Sequence, residues 1–217
     1  MKKFTVIIIT SVISLFACTQ KHEKTTNATV KEGFPIEYVK KVTSKRKMFY
    51  NLDSLDLEKL VRIDSAFFRK WFDNTKVDND TNWLIKYDYY SRYYFFDFKD
   101  VGKSIFFSII DNNEIGYNLV YNYKFDKRTK QIEEVNLIAV EGGEGGESIT
   151  NRLNFNEKGD VLNLITIREF ENASFQNRAS IKYDSIVTKM EFNHPKAIIT
   201  QIDSVSRIDT IYYDGSN

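Results

Sequence analysis

The sequence predicts a mainly β domain: an antiparallel meander of about ten strands forming a curved sheet or incomplete barrel, with one N-terminal amphipathic helix. Three observations carry that expectation. From Trp83 onward the apolar period is two, with Tyr117, Leu119, Tyr121, Tyr123 and Phe125 alternating with Asn118, Asn122, Lys124 and Asp126. Turn-forming clusters such as Asp111-Asn-Asn, Asp126-Lys-Arg-Thr and Glu157-Lys-Gly-Asp separate the runs. The gaps between runs are also too short for parallel crossovers, which need a dozen or more residues.

In chain order, the stretch from Phe34 to Leu52 has Ile36, Tyr38 and Val42 partly alternating, as in a short strand. A helix is expected from Asp53 to about Asp73. Asp53 can cap the free amides of the first turn with Asp56 three residues on, and Leu52 and Leu57 form a hydrophobic staple. Leu57, Leu60, Val61, Phe68, Trp71 and Phe72 supply the stripe that would face a sheet. Strands are then expected near 83–90, 93–99, 104–110, 116–125, 132–140, 148–155, 161–170, 178–187, 197–203 and 207–213. Several of these runs lack a continuous apolar outer band, which argues against a transmembrane barrel.

The first eighteen residues have a different logic. Lys2 and Lys3 precede an apolar run from Phe4 to Phe16, too short for a comfortable bilayer span but laid out as a secretory signal. The run ends in Leu15-Phe16-Ala17-Cys18, which resembles the lipobox of bacterial lipoproteins; Phe16 is bulkier than that pattern usually holds. The resemblance covers the leader only. It implies cleavage after residue 17, acyl chains such as palmitate on Cys18, and a permanent membrane anchor, because several chains together bind where one alone is marginal. Cys18 is the sole cysteine, so no intramolecular disulfide competes for it. Thr19 in place of an Asp is similar to the signal for release toward the outer membrane. Gln20-Lys21-His22-Glu23 resembles the short export signal of Bacteroidota surface lipoproteins. The expected organisation is a signal peptide over 1–17, a lipidated cysteine and polar tether over 18–33, and one β-rich domain over 34–217.

Loss of the leader leaves about 200 residues, enough for one substantial core. Its two lysines go with it, so the mature chain is nearly neutral and no dedicated nucleic-acid binder is expected. The 13 tyrosines and 17 phenylalanines suit half-buried pleated surfaces. Lys40, Lys41, Lys45, Arg46 and Lys47 form a basic stretch that could rest on anionic head groups or be a solvated face.

Two internal segments are candidate sites. Glu141-Gly-Gly-Glu-Gly-Gly-Glu147 projects three carboxylates, Glu141, Glu144 and Glu147, from a glycine-rich backbone. A hard cation is conceivable there, but the spacing is not that of an EF-hand and a hairpin connection explains the glycines. The second segment, Tyr87 to Phe98, carries Tyr87, Tyr89, Tyr90 and Tyr93, a possible platform for sugar rings or a partner's apolar patch. Alternation places Tyr94, Phe96 and Phe98 together on an inward face. His22 and His194 are isolated, which supplies neither a zinc cluster nor a Ser-His-Asp set, so no metal and no cofactor are expected. Asp53-Ser, Asp64-Ser, Asp184-Ser, Asp203-Ser and Asp209-Thr, each before Leu, Ala, Ile or Val, resemble Bacteroidota O-glycosylation acceptors. The reading that results is a non-enzymatic, outer-membrane-anchored binding protein for a hydrophobic ligand or a protein partner. The alternative is a surface glycan hydrolase using a carboxylate pair.

Overall fold

The computed structural model describes residues 33–80, 82–113, 115–174 and 178–212. The leader, Cys18 and the tether as far as Glu32 lie outside the described residues. The first half holds short elements: α1 (Ile36–Val42), β1 (Ser44–Lys45), β2 (Phe49–Asn51), a 3₁₀ turn (Leu57–Lys59), β3 (Val61–Arg62), α2 (Ser65–Trp71), β4 (Thr75–Lys76) and β5 (Leu84–Ile85). Long strands follow: β6 (Arg92–Val101), β7 (Ser104–Asn112), β8 (Tyr117–Asp126), β9 (Gln131–Glu144), β10 (Glu147–Phe155), β11 (Val161–Ser174), β12 (Arg178–Glu191) and β13 (Ile198–Tyr212).

Strands β6 to β13 pair in sequence order as an antiparallel meander, the architecture expected from the short gaps between them. The sheet has 11 strands and is open. β1 adds to β6 in parallel, β3 pairs with β6, and β2 pairs with β10. The sheet is therefore mixed at one edge, because the 45 residues or so between β1 and β6 leave room for a crossover. The runs expected over 197–203 and 207–213 are one continuous strand, β13. No helix among the described residues is long and apolar enough to cross a membrane.

The helical expectation needs correction. The single helix from Asp53 to Asp73 is three pieces. Asp56, not Asp53, caps the 3₁₀ turn, its carboxylate accepting the Glu58 N–H at 3.1 Å. Asp64 caps α2, accepting the Phe67 N–H at 2.9 Å. Between them Val61 and Arg62 pair with Phe95 and Tyr94, so a sheet edge takes backbone groups that a helix would have used. The apparent stripe also serves two cores. Leu57 and Leu60 pack on one apolar cluster, and Phe68 and Phe72 are buried in the other. Conversely, the stretch read as a strand near Ile36 is α1, in which Ile36, Val39 and Val42 recur every three residues and Val39 is fully buried.

Both faces of β6 to β8 are covered. One carries Tyr93, Phe95, Phe107, Ile109, Tyr121 and Tyr123, roofed by Phe34, Val39, Phe68 and Phe72 from the helical segments. The rings interlock: Phe107 stacks on Tyr123 at 4.9 Å between centroids and on Phe34 at 5.3 Å, and Phe72 meets Tyr123 at 5.1 Å. The other face joins Tyr94, Phe96, Phe106, Ile110, Val120 and Ile138 to Leu153, Phe155, Leu162, Leu164, Met190 and Phe192 from β10 to β12 and its end. The sheet thus folds back on itself. The fold begins where β9 and β10 pair only through Gly142, Gly143 and Glu144 before diverging. Gly142 has φ +133°, and a Cβ there would collide with the Gly116 carbonyl, so the close approach of β8 and β9 at this corner requires glycine.

A bulge in β6 shifts its register between Phe95 and Asp97. Tyr94 and Phe96 face the second cluster, whereas Phe98 packs on the first, so the three expected on one face are divided. The bulge also turns Asp97 inward, fully buried, opposite Ser108, which lies opposite Asn122 and then Asn136. Arg46, in the link between β1 and β2, reaches this polar row. Its Nε and Nη2 donate to the two Asp97 oxygens at 3.0 and 2.9 Å, and Nη2 also contacts Ser108 Oγ at 2.9 Å and Asn122 Oδ1 at 2.7 Å. Nη1 donates to the Gly159 carbonyl at 3.2 Å, and the guanidinium lies 4.3 Å from the centre of the Phe155 ring. Arg46 is therefore no part of an exposed basic face.

Breaking this pair strands a buried charge. Asp97→Ala is expected to lower the unfolding free energy by about 3–5 kcal/mol in urea denaturation, and adding Arg46→Met should recover part of the loss. Equal midpoints for wild type and Asp97→Ala would refute the assignment.

Candidate functional site

The aromatic segment expected to form a platform is the lip of a cleft of about 890 Å³. Tyr87, Tyr89 and Tyr90 line it together with Arg62, Ile63, Asp64 and Ser65, and with Ser91, Arg92, Asn112 and Asn113. The walls come from the β3–α2 junction, the start of β6 and the end of β7, so residues far apart in sequence meet at one end of the sheet.

Tyr89 and Tyr90 are 80% and 63% exposed and pack edge to face at 5.4 Å. Tyr87 is half-buried, with the Arg69 guanidinium 4.1 Å from its ring centre. Tyr93 differs from the expectation. It is buried and stacked on Phe68 at 3.6 Å, because β6 turns it into the first core. Its hydroxyl accepts the Asp88 N–H at 2.7 Å and donates to the Lys86 carbonyl at 3.3 Å. Asp88 in turn accepts the Tyr90 N–H at 3.1 Å, and Asp73 accepts the Tyr87 N–H at 2.7 Å. A buried tyrosine therefore fixes the loop that presents the two exposed ones.

Beneath the cleft, Asp111 pairs across the sheet with Tyr93 and is nearly inaccessible. Burial pushes its carboxyl up to about 6; the Ser91 hydroxyl opposes the shift and the Asp88 charge adds to it. Burial likewise pushes the Tyr93 phenol up to about 12. Trp83 donates its indole N–H to the Tyr121 hydroxyl at 3.0 Å beside this group.

The three glutamates of the glycine-rich segment do not converge. Glu141 is buried and accepts the Asn151 N–H at 2.6 Å, and burial pushes its carboxyl up to about 7. Glu144 is exposed and Glu147 half-buried, at the two ends of the hairpin made by Gly145 and Gly146. Among the described residues no three acid, histidine or cysteine side chains gather as a metal site. A second hollow of about 790 Å³ lies beside Phe34, Pro35, Ile36, Ile105 and Phe125. Two of its lysines are engaged, Lys40 with Glu37 and Lys127 with Asp100 and the Gly102 carbonyl. His194 lies near Glu191, its Nε2 3.5 Å from the carboxylate, away from any ligand set. Among the glycosylation-like pairs, Asp64 is occupied as the cap of α2 and Ser54 donates to the Asn51 carbonyl at 3.2 Å.

Tyr89 and Tyr90 could be picked out from the sequence, but Arg62, Arg92, Asn112, Asn113 and the buried Asp111 carry no local signal. Compared with known protein families, curated proteins and solved structures, the chain matches none.

Asp111 supplies a pH test. Its folded value exceeds its ordinary one, so its contribution to stability is fullest below 3.8 and is lost as pH rises through about 6. Asp111→Asn is expected to stabilise the fold at neutral pH by on the order of 3 kcal/mol, with the gain shrinking toward the acid end of that window. Urea unfolding across pH checks this; a pH-independent difference would contradict it.

Proposed function

We propose that this chain is an outer-membrane lipoprotein, anchored through Cys18, that binds its ligand without converting it, and that a glycan chain occupies the tyrosine cleft. The observation that carries the reading is the pair of exposed rings, Tyr89 and Tyr90, beside a concave wall of guanidinium, amide and hydroxyl groups. A sugar ring presents an apolar C–H face and a hydroxyl rim. Rings stack on the first, and planar donors and acceptors meet the second.

The filled interior favours a surface ligand over carriage of a lipid in a lumen. The inward rings of β6 to β8 pack on one another and on Phe34, Phe68 and Phe72. The hydrolase alternative requires two carboxylates flanking the scissile bond. Among the described residues lining the cleft the only carboxylate is Asp64, which is occupied as a helix cap, and Asp111 lies beneath the floor. Binding is the better-supported reading.

Titration calorimetry against envelope and capsular polysaccharide fragments tests the site. Tyr89→Ala with Tyr90→Ala is expected to weaken binding about tenfold or more, because each stacked ring contributes on the order of 1 kcal/mol or more. Release of new reducing ends would replace this reading with hydrolysis, and equal affinity for wild type and variant would remove the cleft from consideration. The anchor is tested separately by labelling with radioactive palmitate; Cys18→Ala should abolish incorporation, and unchanged labelling would refute lipidation at that residue.

A further inference from the structure

The outer parts of β11, β12 and β13 extend beyond either core. Among the described residues of this region, only Leu162, Leu164, Met190 and Phe192 are buried in a cluster, with Ala197 packed at its margin. β13 is the last strand of the sheet. Among the described residues it pairs with β12 alone, and Gln201 through Thr210 are all exposed. Its other edge therefore presents a 15-residue row of backbone donors and acceptors. Such a row is a ready template for another strand, and natural sheets normally cover it or blunt it.

The centre of β13 reads Asp203-Ser204-Val205-Ser206-Arg207. Laid antiparallel against a second copy about Val205, Asp203 falls opposite Arg207 twice, Ser204 opposite Ser206 twice, and Val205 opposite itself. The faces agree as well. Asp203, Val205 and Arg207 lie opposite Val187, Ser185 and Tyr183 of β12 and share one face, and the two serines lie opposite Ile186 and Asp184 on the other. Directly opposed residues in an antiparallel pair share a face, so neighbouring registers can be compared by their charges. Centring on Asp203 sets aspartate against aspartate, and centring on Arg207 sets arginine against arginine. Centring on Ser206 opposes Asp203 and Asp209, and centring on Ser204 pairs no opposite charges. Within two residues of the strand's midpoint, only the Val205 register matches its charges.

The one interruption is a bulge at Ile202, which has no partner between the Gln201–Thr188 and Asp203–Val187 pairs. Bulges twist edges away from further pairing, and this one lies just outside the five matched residues. Ile202 and Ile208, 56% and 68% exposed, flank the tract and would meet near its ends. Arg207 rests over the Tyr183 ring at 4.6 Å and 3.4 Å from Asp209, with both charged side chains still largely exposed, so its guanidinium can turn to the open edge.

We propose that two copies of this chain join β13 to β13, antiparallel about Val205, so that their two sheets become one continuous sheet. The dimer is isologous, as a two-fold through a single residue requires. It is independent of what the tyrosine cleft binds.

The test uses the full chain carrying Cys18→Ala, which removes the sole native thiol. Sedimentation velocity over a concentration series should show a monomer–dimer equilibrium. Asp203→Arg alone, or Arg207→Asp alone, should raise the dissociation constant about tenfold or more, because each places like charges opposite each other twice. The double exchange, or a mixture of the two single variants, should restore the dimer, which a folding defect could not do. Under mild oxidation Val205→Cys should cross-link to itself, and Ser204→Cys, which faces Ser206, should not. A monomer at every concentration would overturn the proposal. So would a dimer indifferent to charge reversal, single variants that fail to complement each other, or equal cross-linking at both positions.

Discussion

A buried guanidinium must be matched on every side, and the Arg46–Asp97 pair imposes that condition on most of this fold. Both side chains are essentially out of solvent. The desolvation penalty for such a pair is several kcal/mol per ion and is offset only by good geometry and further hydrogen bonds. Those bonds come from Ser108 on β7, Asn122 on β8 and the Gly159 carbonyl between β10 and β11. Arg46 itself sits where the chain passes from pairing with β6 to pairing with β10. One charge thus ties both limbs of the folded-back sheet, and it can do so only because the β6 bulge turns Asp97 inward.

Around this charge, aromatic packing determines what kind of protein remains. Curved antiparallel sheets often enclose a ligand, but here the inward rings of β6 to β8 stack on one another and on residues from α1, α2 and the Phe34 segment. The cleft proposed to bind lies on the outside, and Tyr93 helps to shape it by holding the 86–90 backbone from below. The same tyrosine contributes to the core and to the presentation of Tyr89 and Tyr90, so core packing and the shape of the cleft are coupled through one ring. The outer region of β11 to β13 has the opposite character: long strands, two wet faces and, among the described residues, one unpaired edge. Its order rests on ladder hydrogen bonds and cross-strand contacts rather than on a core, which places it among the parts expected to open first.

The sequence displays much of this, but unevenly. Alternation in β8 and β12 and the turn clusters between the strands are visible because the pleat repeats every two residues whatever lies beyond the strand. The helical region misleads for the same reason in reverse. Leu57, Leu60, Phe68 and Phe72 fall at helical spacing, yet two capping aspartates and the pull of the β6 edge divide them between two cores. A signal for the buried polar row was present: Asp97, Ser108, Asn122 and Asn136 are each a polar residue within an otherwise apolar strand centre. Nothing local distinguishes that arrangement from four solvent-facing positions.

By itself, then, the sequence determined the meander, the spacing of β6 to β12 and the charge order about Val205, all of which follow from turn signals and the order of side chains along one chain. Tertiary structure alone decided that Asp97 and Asp111 lie inside, that Tyr93 is core while Tyr89 and Tyr90 are not, and that Arg62 and Arg92 share a cleft. Burial is a property of what other segments bring to a residue, and those segments meet only when the sheet bulges, splits beyond the Gly142–Ile149 pair and folds back.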